Sequence, residues 1–203
     1  MAFPKSRFST KDVEIISRER VYNGFFRMDK LHLRHRLFDG GWSAPVQREL
    51  MLRGEVVGVI PYDPVNRLIG LIEQFRVATV DDVCSPWLFE LVAGMKDDGE
   101  SPEESAKREL LEESGVSSAT LHKICECWVS PGGVDEKIHL YCGVADLKAA
   151  GGTHGLDTEH EDIRFHVIPE DDVFEAMEQG CCNNSATMIA LLWLQQKRHI
   201  LVQ

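Results

Sequence analysis

The sequence predicts an α/β protein of the α+β type, a sandwich with a mixed β-sheet that carries an N-terminal antiparallel β-sheet extension. Along residues 54–203, apolar extended segments alternate with a few helical segments, as in layered α/β structures. Residues 1–53 contain only short extended segments with turn residues between them. We therefore predict a β-sheet extension at 1–53 and a main domain at 54–203.

Each element follows from a local pattern. The extension contains the extended segments VEIISRE and FRMDKLHLRHRLF. The main domain begins with a predicted hairpin, EVVGVIPY and RLIGLIEQFR, around the turn residues 63–66. The remaining strand predictions are WLFELV, KICECWVS, KIHLYCGV and, after a polar loop at 149–162, IRFHVI.

Residues 101–114 form the clearest predicted helix. Ser101 can cap it, Pro102 occupies its first position, and Glu104 completes a capping box. Gly115 is suited to end it. Two C-terminal segments, EDDVFEAMEQG and SATMIALLWLQQKRH, also show helical spacing of apolar residues.

Composition narrows the class of protein. No apolar run approaches the roughly 18 residues that span a bilayer, and the first residues lack an apolar signal core, so we expect a cytoplasmic protein without a membrane partner. The net charge of −11 without a basic block argues against nucleic-acid polymers but permits a small anionic substrate if cations intervene. The six cysteines show no C-x-x-C pair, so neither a zinc site nor a disulfide framework is predicted.

The predicted helix carries an acidic face. Glu109, Glu112 and Glu113 fall within about 100° of arc on a helix of 3.6 residues per turn. Such a cluster is often only a solvated surface. It also suits a hard cation, since Mg²⁺ takes oxygen ligands and is usually held by one or two carboxylates together with phosphate oxygens.

The pattern of residues on both sides of this acidic face distinguishes a metal site from a solvated surface. From Gly94 the chain has five residues, Glu100, seven residues, and then RELLEESGV. This segment, 94–116, resembles the Nudix box at every defined position. The resemblance implies the Nudix α/β/α sandwich and hydrolysis of a nucleoside diphosphate derivative with Mg²⁺, for which Mn²⁺ is an alternative.

The resemblance also implies residue roles. Glu109 and Glu113 match metal ligands, and the carbonyl of Ala93 matches a further metal position. Glu112 would support the cluster and Arg108 would orient it; without the family pattern, Arg108 would be a surface ion pair of little value.

Outside the box, the chain resembles the ADP-ribose pyrophosphatases of proteobacteria. Pro131 lies 16 residues after Gly115, an offset typical of that group, although a Ser-Pro-Gly-Gly turn needs no functional reason. The likeness extends through DVEII, RHRLF, LIEQFR, HGLDTEHEDIR and MIALLWLQ. It implies ADP-ribose as the substrate, AMP and ribose 5-phosphate as products, and a homodimer with an exchanged N-terminal region.

Matching positions imply a set of substrate-binding residues. Phe25 and Phe26 would stack on the base, as flat apolar rings can, unless they are ordinary core aromatics. The guanidinium groups would hold phosphate or base, and Glu136 would accept a hydrogen bond from a ribose hydroxyl. The other matching residues are Arg48, Glu49, Arg53, Arg76, Met95 and Ser130.

The acidic loop HGLDTEHEDIR is denser in carboxylates than a connection requires. The resemblance implies that Glu159 deprotonates the attacking water and that Glu161 is a metal ligand, although the sequence does not decide which of the two is the base. Two alternatives remain for the function. The substrate is another sugar nucleotide such as GDP-mannose, or a dinucleotide; or the domain senses ADP-ribose without catalysis.

Overall fold

The computed structural model describes residues 3–82, 85–156, 158 and 160–201. It contains a three-stranded antiparallel sheet and an eight-stranded mixed sheet with helices, which confirms the predicted fold class. The chain divides into two compact units. The first comprises Met1–Gly54 and Trp128–Glu136, and the second comprises Glu55–Cys127 and Lys137–Gln203.

The first unit is built on three antiparallel strands, β1 (Val13–Asn23), β2 (Arg27–His35) and β3 (Val46–Leu52). They lie in the sheet in this order. Buried Asp29 of β2 accepts hydrogen bonds from Arg18 and Arg20 of β1, which pairs a buried charge as burial requires. Every residue of β1 is exposed, so this strand offers an open face and an open edge.

The second unit is a mixed sheet with helices on both faces. Its strands are β4 (Glu55–Asp63), β5 (Leu68–Phe75), β6 (Trp87–Glu90), β7 (Val92–Met95), β8 (Thr120–Trp128), β9 (Lys137–Val144), β10 (Gly152–His154) and β11 (Ile163–Pro169). The path through the sheet is β10-β11-β5-β4-β9-β8, with β6 paired to β5 and β7 paired to β4. Its helices are α1 (Pro102–Ser114), α2 (Glu170–Glu178) and α3 (Ser185–Lys197).

Strand β4 shows how one sheet builds two cores. Val57 and Val59 point to the face that α1 covers, whereas Val56 and Ile60 point to the face that α2 and α3 cover. All four are buried, because a strand with helices on both sides alternates between two apolar layers. The parallel pairing of β4 with β9 makes the sheet mixed.

The structure corrects two strand predictions. The segment WLFELV is two strands rather than one: β6 pairs with β5, and β7 pairs with β4. They separate at buried Leu91, whose N–H leaves the ladder and donates to the hydroxyl of Thr187 in α3 at 2.9 Å. The polar loop at 149–162 contains the short strand β10, which extends the sheet beyond β11.

The helix signals are confirmed. Ser101 caps α1 in a reciprocal capping box with Glu104, and Gly115 ends the helix in the left-handed region at φ 72°. Within the described part of the chain, no helix has both the length and the apolar character to cross a membrane. The cysteines that the structure describes are all free, while Cys84 lies outside the described residues.

Candidate active site

The candidate site is built on α1 and the strand that it packs against, β7. Ala106 and Leu110 anchor one side of α1 in the apolar layer. Helical spacing then turns Glu109 and Glu113 toward the sheet, where they are 9% and 2% exposed. These two carboxylates therefore lie in a protein interior, not on a solvated face.

A glycine allows the approach of helix to strand. A Cβ built on Gly94 would overlap the carboxylate of Glu109. One residue earlier, the N–H of Ala93 donates to Oε2 of Glu113 at 2.9 Å. The sequence-predicted metal residues Ala93, Glu109 and Glu113 are thus brought together at the end of β7.

Burial changes the acidity of both carboxyl groups. It raises the pKa of Glu109 to about 7, against the opposing effect of the Arg108 guanidinium. It raises the pKa of Glu113 to about 8, against the hydrogen bond from Ala93. The negative charge of Glu161 adds to both increases in pKa. A bound cation would stabilise the ionised forms of these two buried carboxyl groups.

Arg108 lies at the centre of the acidic residues. Its Nη1 donates to Glu109 at 2.7 Å and to Glu112 at 3.1 Å. Its Nη2 donates to the carbonyl of Met95 at 3.0 Å, and its Nε faces Glu100 at 3.2 Å. The guanidinium therefore connects helix α1 with the loop that precedes it.

Glu112 differs from its two neighbours. Its side chain is 26% exposed and accepts from Arg108, and it is not one of the buried carboxylates. Its backbone carbonyl accepts the N–H of Gly155 at 3.3 Å, which ties the acidic loop to the end of α1.

That connection brings the acidic loop to the cluster. Glu161 lies close enough to raise the pKa of Glu109 and Glu113, and its Oε2 accepts the N–H of Leu156 at 3.4 Å. Glu159, the predicted base, lies outside the described residues.

In the first unit, four of the predicted substrate residues are in contact. The Arg53 guanidinium lies 5.0 Å from the ring centroid of Phe26, and its Nε donates to Glu136 at 2.8 Å. Phe25 lies edge-on to Phe26 at 4.9 Å and is 90% exposed. Phe26 is 40% exposed, so neither ring is packed in an apolar core.

The remaining predicted substrate residues of the first unit lie on β3 and in the turn after β8. Arg48 and Glu49 border an open hollow together with Lys30, Gln47 and Gly132. The carbonyl of Ser130 accepts the N–H groups of Gly133 and Val134, so this residue shapes the turn that carries Pro131.

Two predicted substrate residues belong to the second unit. Nε of Arg76 donates to Glu90 at 2.6 Å, and the positive charge of Arg76 lowers the pKa of Glu113. Met95 is 52% exposed, and its carbonyl accepts from Arg108. Both therefore border the acidic cluster.

Sequence reasoning gave no role to two residues that hold the site. Glu100 binds Arg108 through both carboxylate oxygens and accepts the hydroxyl of Ser105 at 2.6 Å. Glu90 holds Arg76 across the β5–β6 pair. Glu100 had a signal, its place in the box pattern, whereas the partnership of Glu90 depends on strand pairing that no local pattern predicts.

The donor set suits a hard divalent cation. Carboxylate oxygens are the ligands that Mg²⁺ prefers, and this ion keeps several waters and needs few protein ligands. Among the residues that the structure describes, no three His, Cys, Asp or Glu side chains form a complete metal-binding group. A pair of buried carboxylates that leaves positions for water and phosphate oxygens fits Mg²⁺ better than it fits a structural metal.

Comparison with known proteins defines the class. The NUDIX domain matches residues 52–183, which include the acidic helix, both buried carboxylates and the loop with Glu161. The chain therefore belongs to the Nudix family and is a Nudix hydrolase.

Within this family, the chain is similar to several individual pyrophosphatases. The ADP-ribose pyrophosphatase of Escherichia coli K12 is 44% identical over 188 residues, covering 93% of this chain and 90% of that protein. The ADP-ribose pyrophosphatase of Haemophilus influenzae is 41% identical, with 93% and 88% covered. The GDP-mannose pyrophosphatase of Cronobacter sakazakii is 35% identical, with 73% and 78% covered.

A solved structure supports the fold alone. A crystal structure of an ADP compounds hydrolase superposes with a TM-score of 0.70 at 20% identity, covering 97% of this chain and all of that one. The Nudix sandwich predicted from the sequence is thereby confirmed.

Proposed function

We propose that the protein hydrolyses the pyrophosphate bond of ADP-ribose to AMP and ribose 5-phosphate with Mg²⁺. The observation that carries this proposal is the buried pair Glu109 and Glu113, held beside Gly94 with Arg108 across the box. Identity of 44% to an ADP-ribose pyrophosphatase along nearly the whole chain supports the substrate.

Glu109 and Glu113 would hold the ion together with the Ala93 carbonyl, and Glu161 would join them from the neighbouring loop when the ion is bound. When bound, Mg²⁺ supplies charge neutralisation for the phosphates and polarises the phosphoryl oxygen. Arg108 keeps Glu109 and Glu112 in place through the hydrogen bonds of its guanidinium.

Glu159 accepts the proton of the attacking water. The water oxygen forms a bond to the adenosine-side phosphorus while the bond from that phosphorus to the bridging oxygen breaks. The bridging oxygen leaves with ribose 5-phosphate. The pair of Phe25 and Phe26 binds the base, and the remaining predicted substrate residues are Arg48, Glu49, Arg53, Arg76, Met95, Ser130 and Glu136.

The direct test is incubation of the pure protein with ADP-ribose and Mg²⁺, followed by separation of nucleotides. AMP and ribose 5-phosphate are expected in equal amounts. Mn²⁺ should substitute for Mg²⁺, and EDTA should abolish turnover. Absence of AMP would overturn the proposal.

The role of Glu159 has its own test. Glu159→Gln removes the base but keeps the size of the side chain, so turnover should fall by about 10² to 10⁴ while ADP-ribose still binds. Glu161→Gln serves as the matched comparison, since loss of a metal ligand should also raise the Mg²⁺ concentration needed. Near-normal turnover of the first variant would make Glu161 the better candidate for the base.

A second substrate deserves direct comparison because a GDP-mannose pyrophosphatase is 35% identical. kcat/KM measured with ADP-ribose, GDP-mannose and a dinucleotide ranks the substrates on one scale. The highest value is expected for ADP-ribose. Tight binding of ADP-ribose without Mg²⁺-stimulated hydrolysis would instead identify a sensor.

We also propose a homodimer in which the N-terminal regions are exchanged. The open β1 strand supports it, since Val13, Ile15, Val21 and Tyr22 are apolar and each is more than 40% exposed. A second copy of the chain would cover these exposed apolar side chains, as exposed apolar patches usually require.

A further inference from the structure

A row of charged side chains leads to the loop between β7 and α1. None of these side chains has been given a role above. The row starts at Lys96, just after β7, and continues with Glu55 of β4, His139 of β9 and Glu126 of β8. Lys123 and Lys137 end it by pairing with Glu126 at 3.1 and 2.9 Å. The row therefore crosses neighbouring strands of one sheet.

His139 occupies the middle of this row and is 5% exposed. Its Nε2 lies 3.5 Å from Glu55 and its Nδ1 lies 3.7 Å from Glu126, so a carboxylate faces each side of the ring. Among the described residues, Nε2 is buried and makes no hydrogen bond. Within the part of the chain that the structure describes, these side chains form no metal-binding group, and the ring lies between the two carboxylates.

Glu55 connects His139 with the loop between β7 and α1. The N–H of Lys96 donates to the carbonyl of Glu55 at 3.0 Å, and the Glu55 carboxylate lies 3.5 Å from Nζ of Lys96. A side chain anchored at both its backbone and its charge has little freedom. Lys96 is accordingly only 17% exposed, unusually low for a lysine.

Lys96 in turn holds the backbone of the loop. Its Nζ donates to the carbonyl of Glu100 at 3.3 Å and lies 3.5 Å from the carbonyl of Asp97. Three acceptors therefore surround the three N–H groups of the ammonium. The side chain of Glu100 is the one that binds Arg108, which orients Glu109.

We propose that Lys96 is a positioning residue for catalysis, set by Glu55 and His139, which fixes Glu100 and through it Arg108. The residue acts through the loop and does not touch substrate. This inference rests on the proposed function, because its effect is measured on the hydrolysis that Arg108 and Glu109 support.

The test compares the full-length protein with Lys96→Met, which keeps the aliphatic stem and removes the charge. kcat should fall about tenfold and the Mg²⁺ concentration for half-maximal rate should rise, because misplacement of a catalytic cluster costs turnover more than binding. KM for ADP-ribose should stay within about twofold. Lys96→Arg should recover most of the loss, and Lys148→Met, an exposed lysine outside the row, should match the wild type.

His139→Gln and the double variant with Lys96→Met test the row itself. If both residues act through one path, the double variant should lose little more kcat than the worse single variant. His139 is buried, so its replacement can destabilise the sheet, and thermal unfolding is therefore recorded for each protein. If His139→Gln is unfolded, the result for Lys96→Met decides the proposal.

Wild-type kcat and Mg²⁺ requirement in Lys96→Met would overturn the inference, as would a change confined to KM. Fully additive losses in a folded double variant would separate His139 from the path and overturn the row. An inactive wild-type protein would instead overturn the proposed function, so the two failures are distinguishable.

Discussion

At the scale of single residues, the carboxyl groups of Glu109 and Glu113 make the free protein less stable when they ionise. Both are buried beside each other, and transfer of a charge out of water is costly unless it is compensated. Arg108 compensates Glu109 through a hydrogen bond, whereas Glu113 receives a backbone N–H from Ala93 and the more distant charge of Arg76. A bound cation would therefore stabilise the ionised carboxylate of Glu113 more than that of Glu109.

The stability of the metal-free protein should fall as the pH rises. The pKa of Glu109 is raised from 4.5 to about 7 and that of Glu113 from 4.5 to about 8. Their contribution to folding stability is therefore fully present below pH 4.5 and is lost as the pH rises through 7 to 8. Thermal unfolding in EDTA at pH 5, 7 and 9 should show this loss. Mg²⁺ should restore the melting temperature most at pH 9, and an equal effect of Mg²⁺ at every pH would contradict the assignment.

Glu113→Gln separates metal binding from folding. Turnover should fall by about 10² or more, because a ligand charge is lost from the cluster. The metal-free variant should melt at or above the wild-type temperature at pH 9, since the amide removes a buried charge and its oxygen can still accept from Ala93. The Mg²⁺-dependent rise in melting temperature should disappear. A strong rise with Mg²⁺ in this variant would exclude Glu113 as a ligand.

At the scale of elements, the contact of α1 with β7 determines the site. The capping box at Ser101 and the apolar anchors Ala106 and Leu110 set where the helix begins and which face it buries. The separation of β6 from β7 at Leu91 then allows β7 to pair with β4 and place Ala93 and Gly94 under the helix.

Gly94→Ala tests this contact. The added methyl group would overlap the Glu109 carboxylate, so either the carboxylate or the helix must move, and turnover should fall by about 10². Circular dichroism should still report the helices. Gly132→Ala is the matched control for folding, because a Cβ there meets nothing within 4 Å. Wild-type turnover of Gly94→Ala would show that the close approach has no catalytic importance.

At the scale of the whole molecule, the prediction is a homodimer whose interface includes the exposed apolar side chains of β1. Light scattering should give about twice the chain mass of 22.9 kDa. Ile15→Lys places a charge among these side chains and should shift the protein toward the monomer, with a loss of activity. Val65→Lys, at a position that is 85% exposed in the turn after β4, should leave the mass unchanged. A stable and fully active monomer would remove both the dimer and the roles of Phe25 and Phe26 that depend on it.

Much of the architecture could be predicted because its signals are local. The capping box and terminal glycine of α1 are written within consecutive residues, and the alternation of β4 follows from burial on both faces. The box pattern likewise placed Arg108, Glu109 and Glu113 on one helix. The break at Leu91 could not be predicted, since it depends on a hydroxyl 96 residues away in α3.

The sequence by itself determined the family, the acidic helix and the identity of its carboxylates, because spacing on a helix translates directly into a common face. Only the tertiary structure decided that Glu109 and Glu113 are buried while Glu112 is not, because burial depends on which strand comes to lie beneath the helix. It also showed that Phe25 lies exposed, that Glu90 holds Arg76, and that Lys96, Glu55 and His139 form one row. These partners are distant in the sequence, and strand pairing alone brings them together.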